Sequence, residues 1–164
     1  MENKKYTYFW KDKSPFSQWH PVGFTVDGVH YKTAEHWMMW KKAMLFGDKA
    51  IAEQVLKATH PRDVKKFGRQ VSNFIKETWE KECKDFVYQG NFAKFTQNPE
   101  LLKVLMATEG TELVESSPYD AIWGIGLTEE DAKKISPDKW PGTNYLGRIL
   151  TKLREDLKKN EIQS

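Results

Sequence analysis

The stretch FTVDGVHYKTAEHWMMWKKAMLFG, residues 24–47, contains a predicted strand pair and a predicted helix in immediate succession. Two β-prone runs flank Asp27-Gly28, a dipeptide that suits a type I′ turn, and together they predict a β-hairpin. Thr33 follows at a position from which its hydroxyl can cap a helix, and Gly47 stands where that helix is expected to end.

The flanking sequence predicts a mainly α fold with a small β element. The aromatic run at 6–10 favours a strand, and residues 116–126 lack a helical period and predict a structured loop. We find no repeat or linker, and expect one compact domain over residues 6–157 with tails at 1–5 and 158–164. Further helices are predicted to begin at Asp48, His60-Pro61, Asn73, Asn98-Pro99, after Thr128 and near Tyr145.

The composition excludes several classes of protein. The net charge is +3, from 26 basic and 23 acidic residues, and only four of the basic residues are arginine, so extensive nucleic-acid contacts are not favoured. Cys83 is the single cysteine, and the histidines lack metal-ligand spacing, so we predict no disulfide framework, no metal and no cofactor. Neither a signal sequence nor a membrane span is evident, which predicts a cytoplasmic protein. Seven tryptophans suit a pocket that stacks on a flat heterocycle.

Glu35 and Lys42 are the first candidates for chemistry. They are seven residues apart, within about 20° of two helical turns, so they share a face of the predicted helix. They are either solvated charges or the floor of an enclosed pocket. In a pocket, desolvation favours the neutral forms, which would suit Glu35 to proton transfer and Lys42 to nucleophilic attack on an anomeric carbon.

Asp120 is the second carboxylate candidate. In the 116–126 loop it either caps a turn or faces Glu35 across a pocket, the two-acid arrangement of glycosidic chemistry. Glu115 is a weaker candidate on the same grounds.

The candidate binding residues are aromatic, polar, cationic or small. Each tryptophan is either core or a stacking platform for a leaving base. Three residues either contact phosphate or ribose or make a surface pair: Arg69, Asn144 and Arg148. The glycine would let backbone N–H groups approach a ligand. The predicted substrate-binding residues are Trp79, Trp123, Gly124, Asn144, Arg69, Arg148 and His36.

Several strings together resemble one family, the NADAR or YbiA-like domain, over nearly the whole chain. The chain departs from the family's commonest form at one place, where Trp37 to Trp40 replace a more polar run. The strings are DGV at 27–29, TAEH at 33–36, Lys42, FGD at 46–48, Trp79, KF at 94–95, NP at 98–99, LVE at 113–115, PYD at 118–120, WGIG at 123–126 and WPGTNYLGR at 140–148.

The resemblance implies a compact, mostly helical domain that cleaves an N-glycosidic bond. It implies that Glu35, Trp79 and Asp120 are essential and that Lys42 attacks the anomeric carbon, although direct activation of water by a carboxylate stays open. Relatives act on phosphoribosylamino-pyrimidines, early intermediates of riboflavin biosynthesis, or on ADP-ribose attached to guanine in DNA. The expected partner is therefore a small phosphoribosyl or ADP-ribosyl molecule, or ADP-ribosylated DNA. A non-catalytic module that binds ADP-ribose or a related nucleotide is the third alternative.

Overall fold

The computed structural model describes residues 4–163 and, for residues 161–163, the backbone alone. Within this range helices predominate and the strands are short, which confirms the predicted mainly α fold with a small β element. The elements are β1 Tyr6–Phe9, β2 Phe24–Val26, β3 Val29–Tyr31, α1 Ala34–Leu45, α2 Lys49–Lys57, α3 Pro61–Gly68, α4 Lys76–Gln97, α5 Pro99–Met106, β4 Glu112–Glu115, α6 Glu129–Ala132 and α7 Tyr145–Gln163.

The chain divides into two compact units, of which one is Gln18–Asn98. In this unit α1 packs against α2, α3 and α4, and the β2–β3 hairpin packs at its N-terminal end. Trp37 is 4% exposed in a core cluster with Phe24 and Tyr31. Its indole N–H donates to the carbonyl of Phe86 at 2.7 Å. Helix α1 is therefore the central element around which this unit packs.

The local sequence accounts for the turns and caps at the two ends of α1. Asp27 and Gly28 both have positive φ, 50° and 80°, as a type I′ turn requires. The Thr33 hydroxyl accepts the N–H of His36 and caps α1, and Gly47 has a φ of 74° just after the helix. Asp48 then caps α2 by accepting the N–H of Ile51. These predictions are confirmed.

The predicted start of the long helix at Asn73 is wrong. Asn73 has a φ of 60° and lies in a turn, and α4 begins at Lys76 after an extended Ile75. The turn is held by Asp48, whose Oδ2 accepts the N–H and the hydroxyl of Ser72 at 2.9 and 2.7 Å. Asn73 provides the left-handed conformation that this turn requires.

The other unit is formed by the described residues 4–17 and 99–163. Strands β1 and β4 pair in parallel, with Tyr6 opposite Glu112. Helix α7 packs on β4, and Arg154, 3% exposed, donates from its guanidinium to the carbonyls of Thr108 and Thr111. Strand β4 was not predicted, because its partner lies more than a hundred residues away in the sequence.

The C-terminal helix is longer than predicted, and the internal helix after Thr128 begins where it was predicted. Helix α7 runs to Gln163, into the segment expected to be a tail. Helix α6 is a single turn, which Thr128 caps as expected. Residues 1–3 and 164 of the predicted tails lie outside the described residues. No helix among residues 4–163 is long and apolar enough to cross a membrane.

Candidate active site

Lys42 lies near the C-terminal end of α1 with its amine between aromatic rings. Its Nζ is 4.7 Å from the centroid of the Phe74 ring and 5.7 Å from that of Trp79. The side chain is half-buried, and this desolvation lowers the pKa of the amine. Burial of the side chain thus favours the neutral, nucleophilic form of the Lys42 amine.

Glu35 occupies the first turn of the same helix and is 4% exposed. Its backbone N–H donates to the carbonyl of Gln18 at 3.0 Å, which fixes the start of α1. Its negative charge raises the pKa of Lys42, against the larger effect of burial. Glu35 and Lys42 therefore interact along one face of α1, with the carboxylate buried and the amine half-buried.

Arg69 and Trp79 belong to the surroundings of this amine as well. The charge of Arg69, an exposed residue directly after α3, lowers the pKa of Lys42. Trp79, in the first turns of α4, is half-buried and lies 6.2 Å from Phe86, centroid to centroid. The unit Gln18–Asn98 therefore brings four of the predicted site residues together: Glu35, Lys42, Arg69 and Trp79.

His36 was predicted to bind substrate, and in the structure its ring makes hydrogen bonds within the protein. It is fully buried, with Nδ1 at 2.7 Å from the Thr33 hydroxyl and Nε2 at 2.8 Å from the carbonyl of Ala58. Both ring nitrogens are occupied, so neither is left for a ligand. The contacts give His36 a structural role that ties the start of α1 to the end of α2.

Asp120 lies in the other unit, in the loop between β4 and α6. Its Oδ1 accepts the N–H groups of Ile122 and Trp123, both at 2.9 Å, and its backbone carbonyl accepts the N–H of Gly126. One carboxylate oxygen therefore organises the turn, as the capping alternative predicted. The second oxygen, Oδ2, takes no part in these bonds.

Gly124 and Asn144 hold the same loop to β4. A Cβ at Gly124 would lie 2.8 Å from the carbonyl oxygen of Glu115, so a glycine is needed for close packing. Asn144 is 5% exposed; its Oδ1 accepts the N–H of Glu115 and its Nδ2 donates to the carbonyl of Leu113, both at 3.0 Å. Close packing thus accounts for the glycine at position 124, and hydrogen bonds within the protein occupy the side chain of Asn144.

Trp123 and Arg148 are more accessible than these two residues. Trp123 is half-buried, with its ring 6.0 Å from that of Tyr145 in an edge-on arrangement. Arg148 is exposed in the first turns of α7, and its guanidinium makes no hydrogen bond or ion pair with another residue in the range 4–163. Both side chains keep surface that a ligand can contact.

The sequence matches the NADAR domain family over residues 8–158. The chain belongs to the NADAR family. Among its relatives, the N-glycosidase R617 of Acanthamoeba polyphaga mimivirus is 42% identical over 95% of this chain and 98% of the relative. N-glycosidase YbiA of Escherichia coli is 32% identical over 89% of this chain and 81% of the relative.

A solved structure supports the fold of this NADAR chain. The NMR structure of E. coli YbiA superposes with a TM-score of 0.81 at 26% identity, covering 100% of this chain and 91% of the other. Protein irg-1 of Caenorhabditis elegans is also similar, at 35% identity over 94% of this chain and 80% of the relative. The NADAR chain is thus an enzyme of the N-glycosidase class, a hydrolase of N-glycosyl bonds.

Phe74 and the contacts that position it in this NADAR chain were not predicted from the sequence. Phe74 lies in the turn between α3 and α4, and its approach to Lys42 is a tertiary contact without a local sequence signal. The FGD string pointed to Asp48, but not to its bonds with Ser72. No group of three or more His, Cys, Asp or Glu residues in the described part of the chain is arranged to hold a metal ion.

Proposed function

We propose that this NADAR chain is a cytoplasmic enzyme that hydrolyses the bond between a phosphorylated ribose and the exocyclic amine of a pyrimidine. The substrates would be the phosphoribosylamino-pyrimidines of early riboflavin biosynthesis, and the products ribose 5-phosphate and an aminopyrimidine. The observation that carries the proposal is the Lys42 amine, half-buried between the rings of Phe74 and Trp79 and under the influence of the Glu35 charge. An amine in this setting is a suitable nucleophile for a sugar carbon.

The proposed reaction begins with attack by Lys42. The lone pair of Nζ forms a bond to the anomeric carbon, and the bond from that carbon to the substrate nitrogen breaks, leaving its electron pair on the nitrogen. Glu35 accepts a proton from Nζ and delivers one to the departing amine, a type of assistance worth about 10²–10⁴-fold in rate. Opening of the ribose ring gives an imine on Lys42. Water then adds to the imine and releases ribose 5-phosphate.

The aromatic rings and the cation have separate roles in this proposal. Trp79 provides a flat surface for the departing pyrimidine, since a base stacked on an aromatic side chain gains about 1–3 kcal/mol. Arg69 provides positive charge for the 5-phosphate, and its effect on the pKa of Lys42 supports its placement in the surroundings of the amine.

Asp120 is assigned on different grounds. The family resemblance makes it a residue required for turnover, and in this structure one of its oxygens is used by the loop. We therefore propose that Asp120→Asn reduces turnover even if the loop keeps its conformation, because the amide oxygen can still accept the two backbone N–H groups. The substitution thus separates the charge of Asp120 from its capping role.

Hydrolysis of ADP-ribose from guanine in DNA is the second candidate function. It is favoured by the exposed cations of α3 and the residue that follows it, which would suit a ligand with several phosphates. Lys65 and Lys66 each lie three or four residues from both arginines, which puts the four cations along one side of the helix. These residues are Arg62, Lys65, Lys66 and Arg69.

The deciding experiment is mass spectrometry of the products formed from 5-amino-6-(5-phosphoribosylamino)uracil by the wild-type protein. We expect ribose 5-phosphate and 5,6-diaminouracil, with turnover lost in Glu35→Gln and retained in Glu53→Gln, which alters an exposed glutamate on α2. Binding of substrate by Glu35→Gln should remain. No release by folded wild-type protein, with release of ADP-ribose from modified DNA, would establish the second candidate. Binding without any turnover would indicate a non-catalytic nucleotide-binding module.

A further inference from the structure

We infer that Phe74 lines the Lys42 site and contacts the flat base of the substrate. Hydrogen bonds between Asp48 and Ser72 hold the turn that carries Phe74 in place. This inference rests on the proposed function, because it names the part of that substrate which Phe74 recognises. It adds a specificity residue at a position where the sequence predicted the first turn of a helix and the structure has the turn before α4.

The exposure of Phe74 is the first observation. It keeps 44% of its surface exposed, and its neighbour Ile75 keeps 53%. Neighbouring apolar side chains that remain accessible beside polar functional groups are a common feature of ligand-binding sites. Phe92 on α4 is exposed to a similar degree, 42%, but makes no ring or cation contact within the described residues. What distinguishes Phe74 is therefore its position against Lys42.

The orientation of the Phe74 ring is fixed on one side and accessible on another. Phe46, directly after α1, meets it edge-on at a centroid distance of 5.3 Å and an interplanar angle of 69°. The Lys42 Nζ lies 4.7 Å from its centroid. A ring oriented by such contacts while retaining free surface can stack on a planar ligand with little loss of side-chain entropy.

The turn that carries Phe74 is anchored to the α1–α2 junction. Asp48 uses Oδ1 to cap α2 at Ile51 and Oδ2 to accept two hydrogen bonds from Ser72. These bonds hold the carboxylate in its charged form and lower its pKa. Asp48 thus connects the end of the helix that carries Lys42 to the turn that carries Phe74.

Phe74 and Trp79 both approach the same amine, at 4.7 and 5.7 Å from their centroids. A sugar whose anomeric carbon is within reach of Nζ places its attached base within a few ångströms of the amine, in the neighbourhood of these rings. Two aromatic side chains are a common means of holding a heterocycle without reading its hydrogen-bonding edge. We therefore assign Phe74 to the base and not to the sugar phosphate.

Product inhibition tests this assignment. We would measure the inhibition constants of 5,6-diaminouracil and of ribose 5-phosphate for the wild type, Phe74→Ala, Phe74→Leu, Phe74→Tyr and Ser72→Ala, with Phe92→Ala as the matched control. Phe74→Ala should weaken inhibition by the base about tenfold, within the range for loss of one stacked aromatic, and leave inhibition by ribose 5-phosphate within twofold. Phe74→Tyr should retain base binding and Phe74→Leu should not, whereas Ser72→Ala should cause a smaller loss for the base.

Three results would overturn the inference. The first is an unchanged constant for the base in Phe74→Ala. The second is an equal loss for both products, which would indicate a general disturbance of the site. The third is full rescue by leucine, which would show that Phe74 only shields Lys42 from water. If the wild type does not turn over the uracil substrate, direct titration with 5,6-diaminouracil and with guanine replaces inhibition. Binding that depends on Phe74 would then support the inference, even though the protein does not act on the proposed substrate. If neither base binds, both the inference and the proposed function are refuted.

Discussion

The negative charge of Glu35 raises the pKa of the Lys42 amine two turns away on α1, whereas burial and the charge of Arg69 lower it. Burial is the largest of the three effects, so the net result is a lowered pKa. Nucleophilic catalysis requires the amine in its neutral form. The lowered pKa leaves more of the Lys42 amine deprotonated near neutral pH. In the proposed reaction, the same carboxylate that counteracts part of the shift also accepts the proton of that amine.

The amine route predicts a covalent adduct at Lys42. Borohydride added during turnover should reduce the imine and leave a reduced phosphopentose on the protein, which peptide mass spectrometry would assign to Lys42. Lys42→Ala should lose both the adduct and turnover. Lys41→Ala is the neighbouring control, since the Lys41 amine lies over Trp37 and Phe86 instead. Repeated absence of an adduct, together with an active Lys42→Ala variant, would support direct attack by water.

Removal of the Arg69 charge should shift the pH profile to higher pH. Arg69 lowers the pKa of Lys42, so Arg69→Gln raises it, and less of the amine is neutral at any given pH. The acidic limb of kcat/KM should therefore move upward, and added salt should reduce the difference between the two proteins because it screens the exposed charge.

Arg62→Gln is the matched control for this profile. Arg62 is an exposed arginine at the start of the same helix and pairs with Asp63 at 3.7 Å. A downward shift in Arg69→Gln, or an equal shift in both variants, would contradict the placement of Arg69 beside Lys42.

The elements that could be predicted from the sequence are those whose cause is local. The Asp27-Gly28 turn, the Thr33 cap and the Pro61 helix start each depend on residues adjacent in sequence, and each was predicted. The start of α4 was not, because a distant carboxylate, that of Asp48, stabilises a turn where an asparagine cap was expected.

The same distinction applies to the candidate site. Glu35 and Lys42 share a helix face, so helical spacing alone predicted their proximity. Phe74 reaches Lys42 through a turn whose path the sequence does not specify. Sequence reasoning also could not distinguish a polar residue that binds ligand from one that binds the protein, as His36 and Asn144 show.

His36 should make stability depend on pH. Burial lowers its pKa below 6.5, so the unfolded chain binds the proton more readily than the folded protein. The contribution of His36 is therefore complete above about pH 6.5, the unfolded value, and decreases as the pH falls toward the lower folded value. The free energy of unfolding from urea titrations should thus fall more steeply in the wild type than in His36→Gln as the pH drops from 7.5 to 5.5.

The substitution itself also has a cost at neutral pH. Loss of the bond to the Ala58 carbonyl should destabilise His36→Gln by about 1–3 kcal/mol at pH 7.5. His30→Gln, at an exposed histidine of β3, is the control and should change the stability at pH 7.5 little. Equal slopes for the wild type and His36→Gln would contradict a buried, neutral imidazole.

Asn144 combines two buried hydrogen bonds with a φ of 53°, and substitutions can separate these contributions. Asn144→Ala leaves the N–H of Glu115 and the carbonyl of Leu113 without their partner, which should cost about 2–4 kcal/mol in the free energy of unfolding. Asn144→Gly loses the same bonds but tolerates the positive φ, so it should be about 1 kcal/mol more stable than the alanine variant. Asn144→Asp keeps an acceptor for Glu115 but replaces the donor to Leu113 by a buried carboxylate oxygen, so it should lose that bond and add repulsion against the Leu113 carbonyl. If these variants unfold like the wild type but bind substrate more weakly, Asn144 contacts the ligand and does not stabilise the loop.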